Sequence, residues 1–262
     1  MYSQKSQHIS PPPKQLQLTD LPVENLRSPP QQCLLCNTYK ACDTGHLLQN
    51  QAPDVRKQVL QEIRLERGQH LFRHGDILTS VYVIKSGLFK SYVISEAGDE
   101  QVVDFPMPGQ VLGADIFADS AQTLSAVALD NALVCCIDFK NLEARVSLSL
   151  AHWLARQVLA ELLRERQILS LTRIRFHAEN RVAGFLLDLS IRYRALGYPD
   201  REFKLIIPQR DIARYLDLAL ETVSRVFSRL QDQGVVYIAR PYIRILDIEA
   251  LQTLAEPEHR PG

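Results

Sequence analysis

From residue 64 to about residue 137 apolar residues recur at every second position, and Gly68, Gly75, Gly87, Gly98, Gly109, Gly113 and Asn131 punctuate the run. Successive strand residues point to opposite faces, so a period of two gives each strand one buried face. Short strands between evenly spaced turns close into an antiparallel barrel or jelly roll. The clearest strands are Val81–Ile84, Phe89–Ile94, Gln101–Phe105 and Ala132–Ile137. With 262 residues, 46% of them apolar and 23% charged, the chain can bury this core and a second one, giving two domains and a tail.

The flanking segments have other patterns. Residues 1–31 are rich in Pro, Gln and Ser, with Pro11-Pro12-Pro13 and Pro29-Pro30, and read as a disordered leader. Apolar spacing of three to four predicts a short helix over Pro53–Ile63. Leu148 to Thr172 contains neither glycine nor proline and predicts one long helix, with Leu154, Val158, Leu162, Glu165 and Leu169 along one face. A helix of this length between two domains packs on a copy of itself in a two-fold dimer, where Glu165 would meet its own copy, or else covers its own barrel.

Beyond it the sequence predicts a helix over Glu179–Leu196 stopped by Gly197, a strand over Glu202–Ile207, and two helices, Gln209–Leu216 and Leu220–Gln231. The turn between those two is only Asp217-Leu218-Ala219. Val235–Leu246 alternates about Arg240-Pro241 and predicts a hairpin. Helix, tight turn, helix and wing is the layout of a DNA-reading unit. Val223, Val226 and Leu230 fall on one face of the second helix, which turns Glu221, Ser224, Arg225 and Ser228 outward. Arginine pairs with guanine, glutamate accepts from cytosine, and serine serves a base edge or a phosphate. Arg210, Arg214, Arg229, Arg240 and Arg244 surround this face as candidate phosphate contacts, with Ser228 beside them. The formal net charge is zero, so any DNA surface is a local patch. The plainer alternative is an exposed helix carrying a Glu221–Arg225 pair.

Cysteine supplies a third signal. Three of the five cysteines, Cys33, Cys36 and Cys42, fall within ten residues, and the other two, Cys135 and Cys136, are adjacent in an apolar strand. Strand neighbours face opposite ways, so only one of that pair can join a shared site. Four thiolates suit tetrahedral zinc or a cubane cluster equally on count. A single C-x2-C followed by five residues and a third cysteine lacks the second knuckle of a structural zinc site, and leans towards iron–sulfur. The N-terminus shows no signal-peptide pattern and no apolar run is long enough to span a bilayer, so the expected location is the cytoplasm, without membrane association. In that reducing compartment the cysteines read as metal ligands plus one spare.

Taken together, the C-x2-C-x5-C run, Ser91-Tyr92, Glu96-Ala97-Gly98-Asp99-Glu100-Gln101 and Glu221-Thr222-Val223-Ser224-Arg225 resemble the CRP/FNR superfamily of bacterial transcription regulators, and its FNR branch in particular, over roughly residues 33–255. The resemblance implies an α+β chain. An N-terminal antiparallel jelly-roll sensor domain, similar to cyclic-nucleotide-binding domains, is followed by a dimerisation helix and a C-terminal winged helix-turn-helix. The corresponding boundaries are 1–31 for the leader, 32–147 for the cysteine module and sensor, 148–175 for the helix, and 176–262 for the DNA-binding domain. It further implies a [4Fe-4S] cluster on Cys33, Cys36, Cys42 and Cys135, dismantled by oxygen, and a homodimer on a TTGAT-type palindrome with Glu221, Ser224 and Arg225 on the bases. RNA polymerase is the implied protein partner. One departure is Asp217, which stands where many such turns carry glycine; aspartate tolerates the left-handed conformation better than most residues.

Three other readings compete. A regulator of the same shape could bind a cyclic nucleotide, but its phosphate needs a cation, and between Ser91 and Phe139 there is neither Lys nor Arg. No cyclic nucleotide is therefore expected. A cupin-like metalloenzyme could use His70 and His74, although no third ligand is placed near them. A zinc-stabilised regulator is the third.

Overall fold

The computed structural model of the chain describes residues 26–27, 60–118, 121–138, 159 and 177–256. The first unit is built of strands β1 (Leu26–Arg27), β2 (Leu60–Leu65), β3 (His70–Phe72), β4 (Ser80–Ser86), β5 (Phe89–Ile94), β6 (Glu100–Asp104), β7 (Val111–Leu112), β8 (Ser125–Ala128) and β9 (Ala132–Asp138). They form two antiparallel sheets, ordered β1-β2-β9-β4-β7 and β3-β8-β5-β6. The alternating residues Ile63, Ile84, Phe89, Ala126, Val134 and Cys136 meet between the sheets in one buried cluster. Phe72 and Tyr82 stack across it at 6.2 Å. The β4–β5 turn depends on Gly87, whose φ is +90° and where a Cβ would stand 2.6 Å from that of Ala132.

The second unit comprises α1 (Ala178–Ala195), β10 (Glu202–Lys204), α2 (Gln209–Leu216), α3 (Leu220–Asp232), β11 (Val236–Ala239), β12 (Tyr242–Ile245) and α4 (Ile248–Ala255). Val182, Leu186 and Leu189 of α1 bury against Ile212 of α2 and Val223 and Leu230 of α3, while β10-β12-β11 forms a small sheet beneath. Asn180 Nδ2 donates to the carbonyls of Leu254 and Glu256, each at 2.8 Å, and so satisfies the end of α4.

The two units are not independent. Leu88, Val102, Phe105 and Met107 of the strand-rich unit lie in the same apolar cluster as the helices. Phe105 packs 6.0 Å from Phe185 and 5.3 Å from Tyr215. Arg192 of α1 reaches back across the seam and donates to the Phe105 carbonyl at 2.6 Å and to Gln110 Oε1 at 2.7 Å.

Several elements differ from the sequence reading. Residues 60–63 are strand, not the end of a helix: Ile63 and Leu65 alternate inward and pair with Val134 and Ala132 of β9. Residues 53–59 lie outside the described residues. Leu26 and Arg27, placed by the sequence in a disordered leader, pair with Ile63 and Glu62. The strand expected over Glu202–Ile207 ends at Lys204, and α4 was not anticipated. The proposed dimer seam, Leu154, Val158, Leu162, Glu165 and Leu169, also lies outside the described residues; Leu159, which is not a seam position, is helical and 56% exposed.

Candidate nucleic-acid interface and cysteine site

The helix pair forms as its sequence dictates. α2 ends where Asp217 adopts the left-handed conformation, φ 53° and ψ 53°, so the aspartate performs the turn that glycine usually makes. Its N–H and that of Leu218 both donate to the Ala213 carbonyl, which satisfies the helix end. α3 then begins at Leu220 and buries Val223, Val226, Phe227 and Leu230. Glu221, Ser224, Arg225, Ser228 and Arg229 consequently stand exposed on the opposite side, as the apolar spacing predicts.

Arg225 lies back along its own helix. Its Nε donates to the Glu221 carbonyl at 3.3 Å and its Nη2 to Thr222 Oγ1 at 3.4 Å, so in place of the Glu221–Arg225 ion pair of the plainer alternative there is a backbone contact. Arg225 and Arg229 share an open cleft with Thr222 of α3 and with His177 and Glu179 at the start of α1.

The five surrounding arginines divide into two groups. Arg229 pairs with Glu179 at 3.1 Å, Arg244 with Glu202 at 2.7 Å, and Arg214 with Glu100 of the strand-rich unit at 3.0 Å. Arg210 and Arg240 are exposed and make no ion pair with a described residue. A paired arginine must give up its carboxylate to take a phosphate, whereas Arg210 and Arg240 reach one without that cost. Glu179 and His177 escaped the sequence reading, because nothing in the local pattern brings the start of α1 beside α3. The wing exposes Tyr237, Arg240, Tyr242 and Arg244 on one face and buries Ile243 and Ile245 on the other.

The two strand cysteines face opposite ways. Cys136 is 1% exposed inside the jelly roll, opposite Tyr82, and burial pushes its thiol up to about 11. Cys135 is half-buried on the other face, opposite Val83 and Glu62, and Glu62 is itself ion-paired to Lys85. A thiolate ligand must shed its proton, and Cys136 sits in an environment that opposes this. Cys135 thus has the better position for a ligand. Cys33, Cys36 and Cys42 lie outside the described residues. His70 Nε2 bonds the Tyr92 hydroxyl at 2.8 Å, and burial, then Arg73 and Lys90, hold its proton affinity below the ordinary imidazole value. Among the described residues no three His, Cys, Asp or Glu side chains converge on a metal position, and no helix is long and apolar enough to cross a membrane.

Comparison with known proteins finds the same two units. The model of the Crp-like helix-turn-helix domain matches residues 180–254, and that of the cyclic nucleotide-binding domain matches residues 62–147. The chain is 34% identical over 221 residues to the anaerobic regulatory protein of Haemophilus influenzae, covering 84% of this chain and 86% of that protein. It is 35% identical over 229 residues to the transcriptional regulatory protein btr of Bordetella pertussis, covering 86% and 94%. The fumarate and nitrate reduction regulatory protein of Salmonella typhi is 32% identical over 225 residues, covering 85% and 90%. Among solved structures, FixK2 from Bradyrhizobium japonicum superposes with a TM-score of 0.67 at 27% identity, over 76% of this chain and 98% of that one.

Proposed function

Because the chain belongs to the CRP/FNR family of DNA-binding transcription regulators, we propose that it is an oxygen-responsive regulator that holds a [4Fe-4S] cluster and binds a TTGAT-type palindrome as a homodimer. The family is one of regulators rather than enzymes, so the metalloenzyme reading falls away. On the DNA side, the supporting observation is the exposed row Glu221, Ser224 and Arg225 on a helix whose opposite face is buried. These three would read base edges, with Arg210, Arg240 and Ser228 on phosphates, and Arg214, Arg229 and Arg244 joining them on release from Glu100, Glu179 and Glu202.

The cluster is supported by the division between the two strand cysteines. One soft donor faces outward from the sheet while its neighbour is consumed by the core. With Cys33, Cys36 and Cys42 it completes a four-thiolate set, the usual donor set of a cubane cluster. When bound, such a cluster supplies a redox-sensitive, oxygen-labile link between the N-terminal module and the sheet. Homologues named anaerobic regulatory protein and fumarate and nitrate reduction regulatory protein favour the same reading.

The domain boundaries that accompany this function are 32–147 for the sensor, 148–175 for the dimerisation helix and 176–262 for the DNA-binding unit, with RNA polymerase as the protein partner. The jelly roll takes no cyclic nucleotide, since the stretch from Ser91 to Phe139 offers no cation for its phosphate. The metal assignment is tested by elemental analysis of protein purified without oxygen. Iron and sulfide in about a 1:1 ratio, near four of each per chain, are expected. One zinc per chain and no sulfide would replace the cluster with a structural zinc site.

A further inference from the structure

Four charges meet where the strand-rich unit touches the helix pair. Lys90 on β5 and Glu100 on β6 come from one side, and Asp211 and Arg214, one turn apart on α2, come from the other. Lys90 Nζ lies 2.7 Å from Glu100 Oε1 and 3.4 Å from Asp211 Oδ1. Arg214 Nη1 lies 3.0 Å from that same Glu100 oxygen and 3.9 Å from Asp211 Oδ1. The signs alternate around the ring and sum to zero. The Asp211 and Lys90 side chains are only 4% and 10% exposed, and those of Glu100 and Arg214 are 24% and 34% exposed. Gln101 Nε2 donates to the Arg214 carbonyl at 2.5 Å beside it, and the Tyr92 ring lies 5.1 Å from Lys90 Nζ.

We propose that this ring makes Lys90, Glu100, Asp211 and Arg214 positioning residues for DNA binding: it selects the angle at which the strand-rich unit carries the helix pair. The apolar part of the seam, Leu88, Val102, Phe105 and Met107, holds the units together but is non-directional, and the Arg192 hydrogen bonds to Phe105 and Gln110 anchor α1 rather than α2. The charges behave differently. A buried ion pair contributes little net stability, because desolvation offsets its attraction, yet separating the partners leaves a buried charge uncompensated. Any rotation of α2 that withdraws Asp211 from Lys90 therefore incurs that cost, and the observed angle is singled out. Asp211 sits in the first turn of α2, and the three-residue turn at Asp217 ties α2 to α3, so the angle is passed to Glu221, Ser224 and Arg225. In a two-fold dimer that angle fixes the distance between the two recognition helices, and hence the half-site spacing that fits.

This inference rests on the reading that the chain binds a palindrome as a dimer. It is tested with the full chain purified without oxygen, on a series of duplexes carrying two TTGAT half-sites whose central spacer changes one base pair at a time. The parent is expected to prefer one spacer over its neighbours by about tenfold or more, since a one-base-pair change both rotates and displaces a half-site. Lys90→Met is expected to reduce that preference to about threefold or less, with scrambled-duplex affinity unchanged, and Lys90→Arg to retain it. Glu100→Gln, on the more exposed edge of the ring, provides a second variant should Lys90→Met fold poorly, and is expected to weaken the preference in the same direction. A spacer preference intact in Lys90→Met or Glu100→Gln, with only a lower melting temperature or a uniform loss on all duplexes, overturns the positioning role. A parent that binds no member of the series above scrambled DNA removes the palindrome reading itself, and the positioning role with it.

Discussion

Cys135→Ala protein purified without oxygen is expected to lose the iron and sulfide that the parent holds, whereas Cys136→Ala keeps both. The two residues are adjacent in β9, yet the register with β4 and β2 gives them opposite surroundings. Cys136 faces Tyr82 within the core, where burial opposes the thiolate, and Cys135 stands half-buried on the outer face beside Glu62. Losing one of the four proposed thiolates would leave one iron of the cubane without its only protein ligand, so the effect on iron content should be close to all-or-none. Cys136→Ala instead removes a packed sulfur from the core and should lower stability by about 1 kcal/mol, with cluster content unaffected. Iron and sulfide assays with the cluster's visible absorption read both variants. A full cluster in Cys135→Ala together with loss in Cys136→Ala would place the ligand on the wrong face of the strand.

Arg225→Ala is expected to weaken binding to a TTGAT palindrome by about 1–3 kcal/mol per contacted half-site, roughly 5- to 150-fold, with little change on scrambled DNA. The size follows from losing a bidentate guanine contact. In the free protein the guanidinium rests on the Glu221 carbonyl and Thr222 hydroxyl at 3.3 and 3.4 Å, contacts long enough to surrender readily. Arg240→Ala should behave differently, because an exposed arginine on the wing turn would hold a phosphate. Its loss would weaken all sequences alike and reduce the salt slope by about one per half-site, about two for the dimer. Titrations on specific and scrambled duplexes at several salt concentrations separate the two residues. An equal loss on both duplexes for Arg225→Ala would make it a backbone contact.

Much of this site was legible because its determinants are local. The apolar spacing of Val223, Val226 and Leu230 dictates which face of α3 is exposed, and Asp217 marks the turn that orients it. Alternation likewise showed that Cys135 and Cys136 face opposite ways. Which of them points inward depends on pairing with Tyr82 and Glu62, strands far away in the chain. The same non-locality explains the misread helix over residues 60–63. A spacing of three to four before Ile63 mimics a helix, but pairing with Val134 and Ala132 of β9, about seventy residues on, decides the outcome. α4 carries a local signal, Asp247, whose side chain accepts from the Ala250 N–H and caps the helix. The contact between Lys90 and Asp211 had no sequence signal, since 121 residues separate them and each is an ordinary charged residue in its own segment. Arg214 shows the consequence: its place beside the recognition helix suits a phosphate contact, but nothing local foretells that it also pairs with Glu100, 114 residues away.

The central claim, that an oxygen-labile cluster governs sequence-specific binding, is tested most directly by following one sample of the full chain through exposure to air. Its affinity for the TTGAT palindrome and for a scrambled duplex, and its iron and sulfide content, would be measured before and after. Without oxygen a specific-over-scrambled ratio of about 10³ or more is expected, falling by about two orders of magnitude as iron and sulfide are lost. An unchanged ratio in protein shown to have lost both would contradict the account.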